Sequence, residues 1–243
     1  MTSNKTASGT LDSRERARLI LQNESAFNAC SAAVVAEIMR HARVIKLNKG
    51  EVMYRQGEPG DSMMVVVSGS LKVTNVTAEG KEVVLGFLKP GALTGEIAAL
   101  DGRERTASVI ALEAVEAVAI YRRDLLPLLR SNPDAMFALL EGLCGRLRST
   151  NLLLESHTME AGARIAACLL RLADEHGQSA SKGTVIDLKL TQRDLGSHLG
   201  LTRETVSRTL GTFRDEGLID LAGASILLKN PDRLAEIAEG DGE

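Results

Sequence analysis

A helical stretch from Ser131 to Met159 constrains this 243-residue chain more than any other segment. Ser131 or Asn132 can cap it, Pro133 sits where the first turn needs no donor, and Asp134 suits the positive end of the helix dipole. Within it Met136, Leu140, Leu143, Leu147, Thr150, Leu154 and His157 recur at alternating steps of four and three. That is a two-position heptad seam, the pattern by which a helix packs against a parallel copy of itself. A core helix under a sheet gives the same pattern at a length of about three to four heptads, so the flanking sequence has to decide.

Before the helix, from Arg43 to Ile120, the texture is of short β-type runs broken by glycine. Strands are predicted at Val44–Leu47, Val52–Tyr54, Met63–Ser68, Leu71–Asn75, Val83–Phe87, Ser108–Ala111 and Val115–Ile120. Their number and near-regular spacing imply an antiparallel roll or barrel. Helices are predicted at Asp12–Gln22 and Ser31–His41, with a short one at Arg123–Arg130, and residues 1 to about 10 have the composition of a disordered segment. After the long helix, with a hinge at Glu160–Gly162, come a helix from Ala163 to about His176 and a polar loop from Gly177 to Gly183. A strand at Val185–Leu190, helices at Gln192–Leu199 and Arg203–Glu216, a hairpin (Leu218–Leu221 with Ser225–Leu228) and a helix from Pro231 complete the pattern.

Composition narrows the function. No apolar run approaches the ~18 residues needed to span a bilayer, and the N-terminus lacks an apolar signal core, so a cytoplasmic protein without membrane contact is expected. Cys30, Cys144 and Cys168 are too far apart for a disulfide framework or a C-x-x-C metal site. A net charge of −3 argues against a uniformly basic surface, and aromatics at 2% argue against stacking platforms for single-stranded nucleic acid. No His, Cys or carboxylate cluster supports catalysis, so no catalytic residue and no metal are expected.

Two strings carry the chemistry. Thr94 to Ser108 reads T-G-E-I-A-A-L-D-G-R-E-R-T-A-S. It resembles the phosphate-binding cassette of cyclic-nucleotide-binding domains, supported by Arg55-Gln56-Gly57-Glu58, Gly60-Asp61 and Ser68-Gly69 earlier in the roll. A carboxylate can accept from a ribose 2′-hydroxyl, and a guanidinium can neutralise a cyclic phosphate with directional donors. The resemblance implies Glu96 on the 2′-hydroxyl, Arg105 on the phosphate, Thr106 on the phosphate or a purine edge beside Ala107, and main-chain contacts from Gly95 and Ile97. The other reading of the same residues is that Glu96 and Arg105 pair with each other in a roll without ligand. Thr150-Asn151 fall near the family's adenine-contacting Thr-Ser pair, with Ser149-Thr150 as the one-residue alternative. This favours cAMP, with cGMP second because Thr106 resembles the Thr of cGMP-selective domains.

Leu190 to Thr212 reads L-T-Q-R-D-L-G-S-H-L-G-L-T-R-E-T-V-S-R-T-L-G-T. The tight turn Leu199-Gly200-Leu201, followed by Thr202 as an N-cap, gives a helix-turn-helix whose second helix presents Arg203, Glu204, Ser207 and Arg208. Arg can pair bidentately with guanine and Glu can accept from cytosine, while Arg193 adds charge for phosphate. From Lys189 to Arg214 there are five basic residues against two acidic ones, a local excess inside an acidic chain. The R-E-T-V-S-R string resembles the recognition helix of the CRP/FNR transcription regulators.

The resemblance implies an α+β fold: an N-terminal antiparallel β-roll, a long dimerisation helix and a C-terminal winged helix-turn-helix. The expected division is an extension (1–30), sensor (31–131), dimerisation helix (132–160) and DNA-binding domain (161–243). It further implies a homodimer on palindromic double-stranded DNA with a TGA-type half-site core, contact with RNA polymerase, and cAMP or cGMP as effector. Neither haem nor an iron–sulfur cluster is expected, because only Cys30 lies near the N-terminus and the four histidines are scattered outside the roll. A ligand-independent, redox- or gas-sensing regulator is the alternative within the family, and a cyclic-nucleotide-processing enzyme the alternative outside it.

Overall fold

The computed structural model describes residues 12–23 and 25–240, so the expectation for the first ten residues lies outside it. Its N-terminal half is built on two four-stranded antiparallel sheets. One runs in the order β1 (Arg43–Leu47), β8 (Val115–Tyr121), β3 (Ser62–Ser68), β6 (Leu93–Thr94). The other runs β2 (Val52–Tyr54), β7 (Ser108–Ala111), β4 (Leu71–Val76), β5 (Glu82–Leu88). The seven predicted strands are present, each within about one residue of its expected ends, and a two-residue strand, β6, is added.

Strand β3 shows why the roll needs helices around it. Six consecutive residues, Ser62 to Val67, are buried. Met64 and Val66 face the roll interior, while Met63, Val65 and Val67 face a second core on the outside. That outer core is closed by α1 (Ser13–Asn23), a 3-10 turn at Ala26–Ala29, α2 (Ala32–His41), α4 (Arg122–Ser131) and the start of α5 (Pro133–Ser156). Ala17, Leu21 and Phe27 are fully buried there, so α1 and the 3-10 turn pack as part of the roll's outer core. A short helix, α3 (Glu96–Asp101), follows β6.

The long predicted helix starts differently from expectation. Ser131 Oγ donates back to the carbonyls of Pro127 and Leu128, and Asn132 Nδ2 donates to that of Leu128. Both residues therefore close α4, and Asn132 makes no side-chain cap on α5. At the far end α5 stops at Ser156, and α6 (Ala161–His176) begins one residue after Glu160. The break between them is thus at 157–160 rather than at Glu160–Gly162, and Gly162 sits in the first turn of α6.

The C-terminal unit is a helix-turn-helix, α7 (Gln192–Leu199) and α8 (Arg203–Asp215), against the sheet β11 (Ile219–Ala222), β12 (Ser225–Leu228), β10 (Gly183–Ile186), β9 (Gly177–Ala180), with α9 (Pro231–Glu239) last. The stretch Gly177–Gly183, expected as a loop, forms β9 and the turn into β10. Gly183 permits this: its φ is +135°, and a Cβ there would stand 1.9 Å from the Leu228 carbonyl oxygen.

The two halves meet where α7 covers β5, an edge strand of the roll. Ser197 Oγ donates to the Glu82 carbonyl at 2.8 Å, and His198 Nδ1 donates to the Val84 carbonyl at 3.0 Å. His198 Nε2 accepts from Arg171 Nη2 at 2.8 Å, so the ring is held neutral by partners on both nitrogens. Lys72 bridges Glu82 (2.7 Å) and Asp194 (2.9 Å), and Val84 and Phe87 of β5 join the core of the C-terminal unit.

Two outcomes test this packing. Phe27→Ala removes a fully buried ring and costs ~3–5 kcal/mol of stability, measured by urea denaturation; a loss near zero would detach the 3-10 turn from the core. Burial, with Arg171 beside it, pulls the His198 pKa down to about 4 despite its bond to Val84. The unfolded chain takes up that proton near 6.5, so stability present at neutral pH falls as pH drops from 6.5 through 4. Between pH 7 and 5 the wild type loses about 2 kcal/mol more than His198→Gln, measured by thermal unfolding at both pH values.

Candidate functional site

The cassette lies where β6 turns into α3, and its first requirement is a backbone one. Gly95 has φ +76°, and a Cβ there would lie 2.4 Å from Arg105 Nη1, so the position admits only glycine beside that guanidinium. Arg105 is 5% exposed and held by the Ser62 carbonyl (2.5 Å), the Gly95 carbonyl (3.0 Å) and Ser62 Oγ (3.0 Å), over the Tyr54 ring at 4.3 Å. None of these partners is an anion.

Glu96 is 2% exposed, and its partner is not Arg105. Arg146 reaches in from α5, donating to Glu96 Oε1 at 3.0 Å and to the Leu93 carbonyl at 2.7 Å. The expected alternative, a pair between Glu96 and Arg105, is therefore not what the fold builds. Glu96 Oε2 and Arg105 Nε are both buried without a hydrogen-bond partner among the described residues. A buried acceptor and a buried donor left unpaired each cost about 1–3 kcal/mol unless something else bonds to them.

Sequence reasoning missed Arg146, Ser62 and Tyr54. Arg146 carried a signal, since it stands four residues before Thr150 and one helical turn along the face toward the roll; the seam pattern drew attention to the apolar positions instead. Nothing local marked Ser62 or Tyr54.

Two cavities adjoin here. A cleft of about 30 Å³ is lined by Gly95, Glu96, Arg105 and Thr106, and a larger one of about 420 Å³ opens beside it. Ile97, Thr106, Ala107 and Arg146 border both. Ser149 and Thr150 line the larger cavity, whereas Asn151 is exposed and lines neither. Within one chain the geometry thus fits the Ser149-Thr150 alternative better than Thr150-Asn151.

The heptad face of α5 is largely uncovered. Met136, Leu140, Leu147, Thr150, Leu154 and His157 are exposed, and Leu143 is half-buried. Leu147 and Leu154 are 64% and 61% exposed, a continuous apolar stripe of the kind that marks an association surface.

On the C-terminal unit, Gly200 in the left-handed conformation (φ +66°) ends α7, and Thr202 Oγ1 accepts from the Thr205 amide at 3.1 Å to start α8. Arg203, Glu204, Ser207 and Arg208 are all exposed on one end of α8, with Arg193 exposed on α7. Among the described residues none of the three arginines forms an ion pair, unlike Lys189, tied to Asp187 at 2.6 Å, and Arg214, tied to Asp215 at 2.8 Å. Arg193, Arg203 and Arg208 are therefore left as unpaired positive charge around the start of α8. No helix of the described residues is long and apolar enough to cross a membrane, and none of their His, Cys, Asp and Glu side chains cluster to hold a metal.

Comparison with known proteins agrees with both halves. A cyclic nucleotide-binding domain model matches residues 44–132, and a Crp-like helix-turn-helix domain model matches residues 163–237. The chain is 30% identical over 220 residues to a CRP-like cAMP-activated global transcriptional regulator of Mycobacterium tuberculosis, covering 90% of this chain and 98% of that one. It is 33% identical over 193 residues to a cyclic AMP receptor protein of Thermus thermophilus, covering 79% and 86%. The structure of FixK2 from Bradyrhizobium japonicum has the same fold, with a TM-score of 0.73 at 24% identity over 80% of this chain and 96% of that one. Together with the roll, the long helix and the exposed reading helix, these matches show that the chain belongs to the CRP/FNR family of DNA-binding transcription regulators, a family of regulators and not of enzymes.

Proposed function

We propose that this regulator is a homodimer whose grip on DNA is set by a cyclic nucleotide held at the cassette, cAMP ahead of cGMP. The observation that carries this reading is the pair of unpaired buried polar atoms, Glu96 Oε2 and Arg105 Nε, around a guanidinium with no anionic partner. A cyclic phosphate brings the missing anion, and a ribose hydroxyl brings a donor for Glu96. Arg105 holds the phosphate, Gly95 and Ile97 offer main-chain groups, Thr106 and Ala107 border the ring, and Thr150 meets the base. Arg146 joins this set, because any ligand at Glu96 must share or displace it. The names of the relatives from Mycobacterium tuberculosis and Thermus thermophilus support cAMP as effector.

The exposed stripe of α5 supports pairing of two copies, which places Thr150 at the contact between them as well as beside the larger cavity. A ligand touching that residue biases how the helices pair, and so how two α8 helices are spaced for successive major grooves of a palindromic site. On each half-site Arg203, Glu204, Ser207 and Arg208 read bases with a TGA core, while Thr202 and Arg193 meet the backbone. Recruitment of RNA polymerase follows from the same reading.

Calorimetry with cAMP and cGMP tests the sensor: wild type binds at micromolar concentration or tighter, and Arg105→Leu weakens binding roughly 100-fold. Absence of binding to wild type by either nucleotide refutes it. For the reader, Arg208→Ala lowers discrimination between a TGA-containing palindrome and a scrambled duplex by ~1–3 kcal/mol in a gel-shift titration; unchanged selection would remove Arg208 from the reading set.

A further inference from the structure

The larger cavity has a wall that the cassette does not supply. Its floor is the roll and its side is α5, but the remaining face is α6 of the DNA-binding unit, through Arg171, Glu175 and His176, with His198 of α7 behind them. About 420 Å³ is within the range of small-molecule sites, and its shared border with the cassette cleft at Ile97, Thr106 and Ala107 makes the two continuous. For a nucleotide with its phosphate at Arg105 and its ribose at Glu96, the larger cavity, walled by α6, is the adjoining space open to its base.

The polar groups facing the base there are paired but not saturated. Arg171 is fixed by its 2.8 Å contact with His198 Nε2. Glu175 is held loosely: Ser149 Oγ reaches Oε1 at 3.5 Å and His176 Nε2 stands 3.6 Å from Oε2. His176 gives Glu175 no cation at neutral pH, since burial, with Lys89 and Arg171 nearby, lowers its pKa to about 4. Lys89 bonds the main-chain carbonyl of Glu175 and not its carboxylate. The wall therefore offers an acceptor, the Glu175 carboxylate, beside a donor, the Arg171 guanidinium. Adenine presents the complement, an N6 amine that donates next to an N1 that accepts.

We infer that the effector's base is read by the DNA-binding unit itself, with Glu175 as the residue that selects an exocyclic amine at the purine 6-position. This rests on the proposed cyclic-nucleotide reading of the cassette and adds to it a direct contact between ligand and reader. Base identity and reader placement are then coupled, because the selecting group moves with α6.

Calorimetry on the full chain with cAMP and with cyclic inosine monophosphate tests it. The second ligand has the same shape but carries an acceptor oxygen at position 6 and a donor at N1. Wild type prefers cAMP by about tenfold or more, the worth of one hydrogen bond to a charged group against a repelled acceptor. Glu175→Ala brings the ratio close to one, and so does Glu175→Gln, whose amide can accept from the adenine amine or donate to the inosine oxygen. Arg105→Leu weakens both ligands equally, which separates the cassette from the base wall. A Glu175→Ala protein that binds both ligands with the wild-type ratio overturns the inference and leaves the cassette reading standing. A wild type that binds neither overturns the cassette reading itself. Retained micromolar binding of both nucleotides by Glu175→Ala serves as the folding control, since a misfolded chain would lose both together.

Discussion

The arrangement of this protein depends on how one buried carboxylate is compensated. Glu96 is 2% exposed, and an isolated charge at such a position costs several kcal/mol. The roll places no cation of its own against it, since Arg105 is committed to carbonyls and the Ser62 hydroxyl. Arg146 supplies the charge from outside, and its second bond, to the Leu93 carbonyl, fixes where α5 crosses the roll. The buried side chains of α5 are Ala135, Ala138 and Leu139, all in its first turns. Beyond them Arg146 ties the helix to the sensor through its bonds to Glu96 and the Leu93 carbonyl. In the proposed function a ligand at Glu96 competes with this tie, which is how its binding would bias the position of the helix.

The second junction is polar in a different way. Strand β5 is an edge, and an uncovered edge leaves main-chain groups unpaired. Side chains of α7 meet them: Ser197 takes the Glu82 carbonyl and His198 that of Val84, with Lys72 clamped between Glu82 and Asp194. Among the described residues, Val84, Phe87 and Leu112 of the roll enter the apolar core of the C-terminal unit. The joint therefore combines side-chain to main-chain bonds with an apolar contact at Val84, Phe87 and Leu112. Its dependence on a neutral His198 makes it sensitive to mild acid.

Local chemistry made most of the elements legible. Glycine punctuation and β-branched runs marked the strands of the roll, and the Gly200 turn with its Thr202 cap marked the helix-turn-helix to within one residue. The failures share a cause. Ser131 and Asn132 have the chemistry to cap a following helix, yet they bond backward to Pro127 and Leu128 because α4 reaches them first. The Gly177–Gly183 stretch is polar and flexible by composition, yet it pairs as β9 because β10 already lies beside β12 and leaves an edge. β6 and α3 are too short to show a period.

The cassette divides along the same line. Gly95, Glu96, Arg105 and Thr106 could be named from sequence because the string that holds them resembles a phosphate-binding cassette. The heptad stripe was equally readable, since helical geometry alone puts Met136, Leu140, Leu147 and Leu154 on one face, and the fold leaves that face uncovered. What tertiary structure alone decided is who partners whom over long separations. Glu96 pairs with Arg146 instead of Arg105, Phe27 belongs to the roll's outer core, and α6 forms a wall of the cavity beside the cassette. Sequence determines the local geometry and the chemical types because these depend on neighbours a few residues away; the pairing of buried charges depends on which distant surfaces meet, and only the folded chain brings those together.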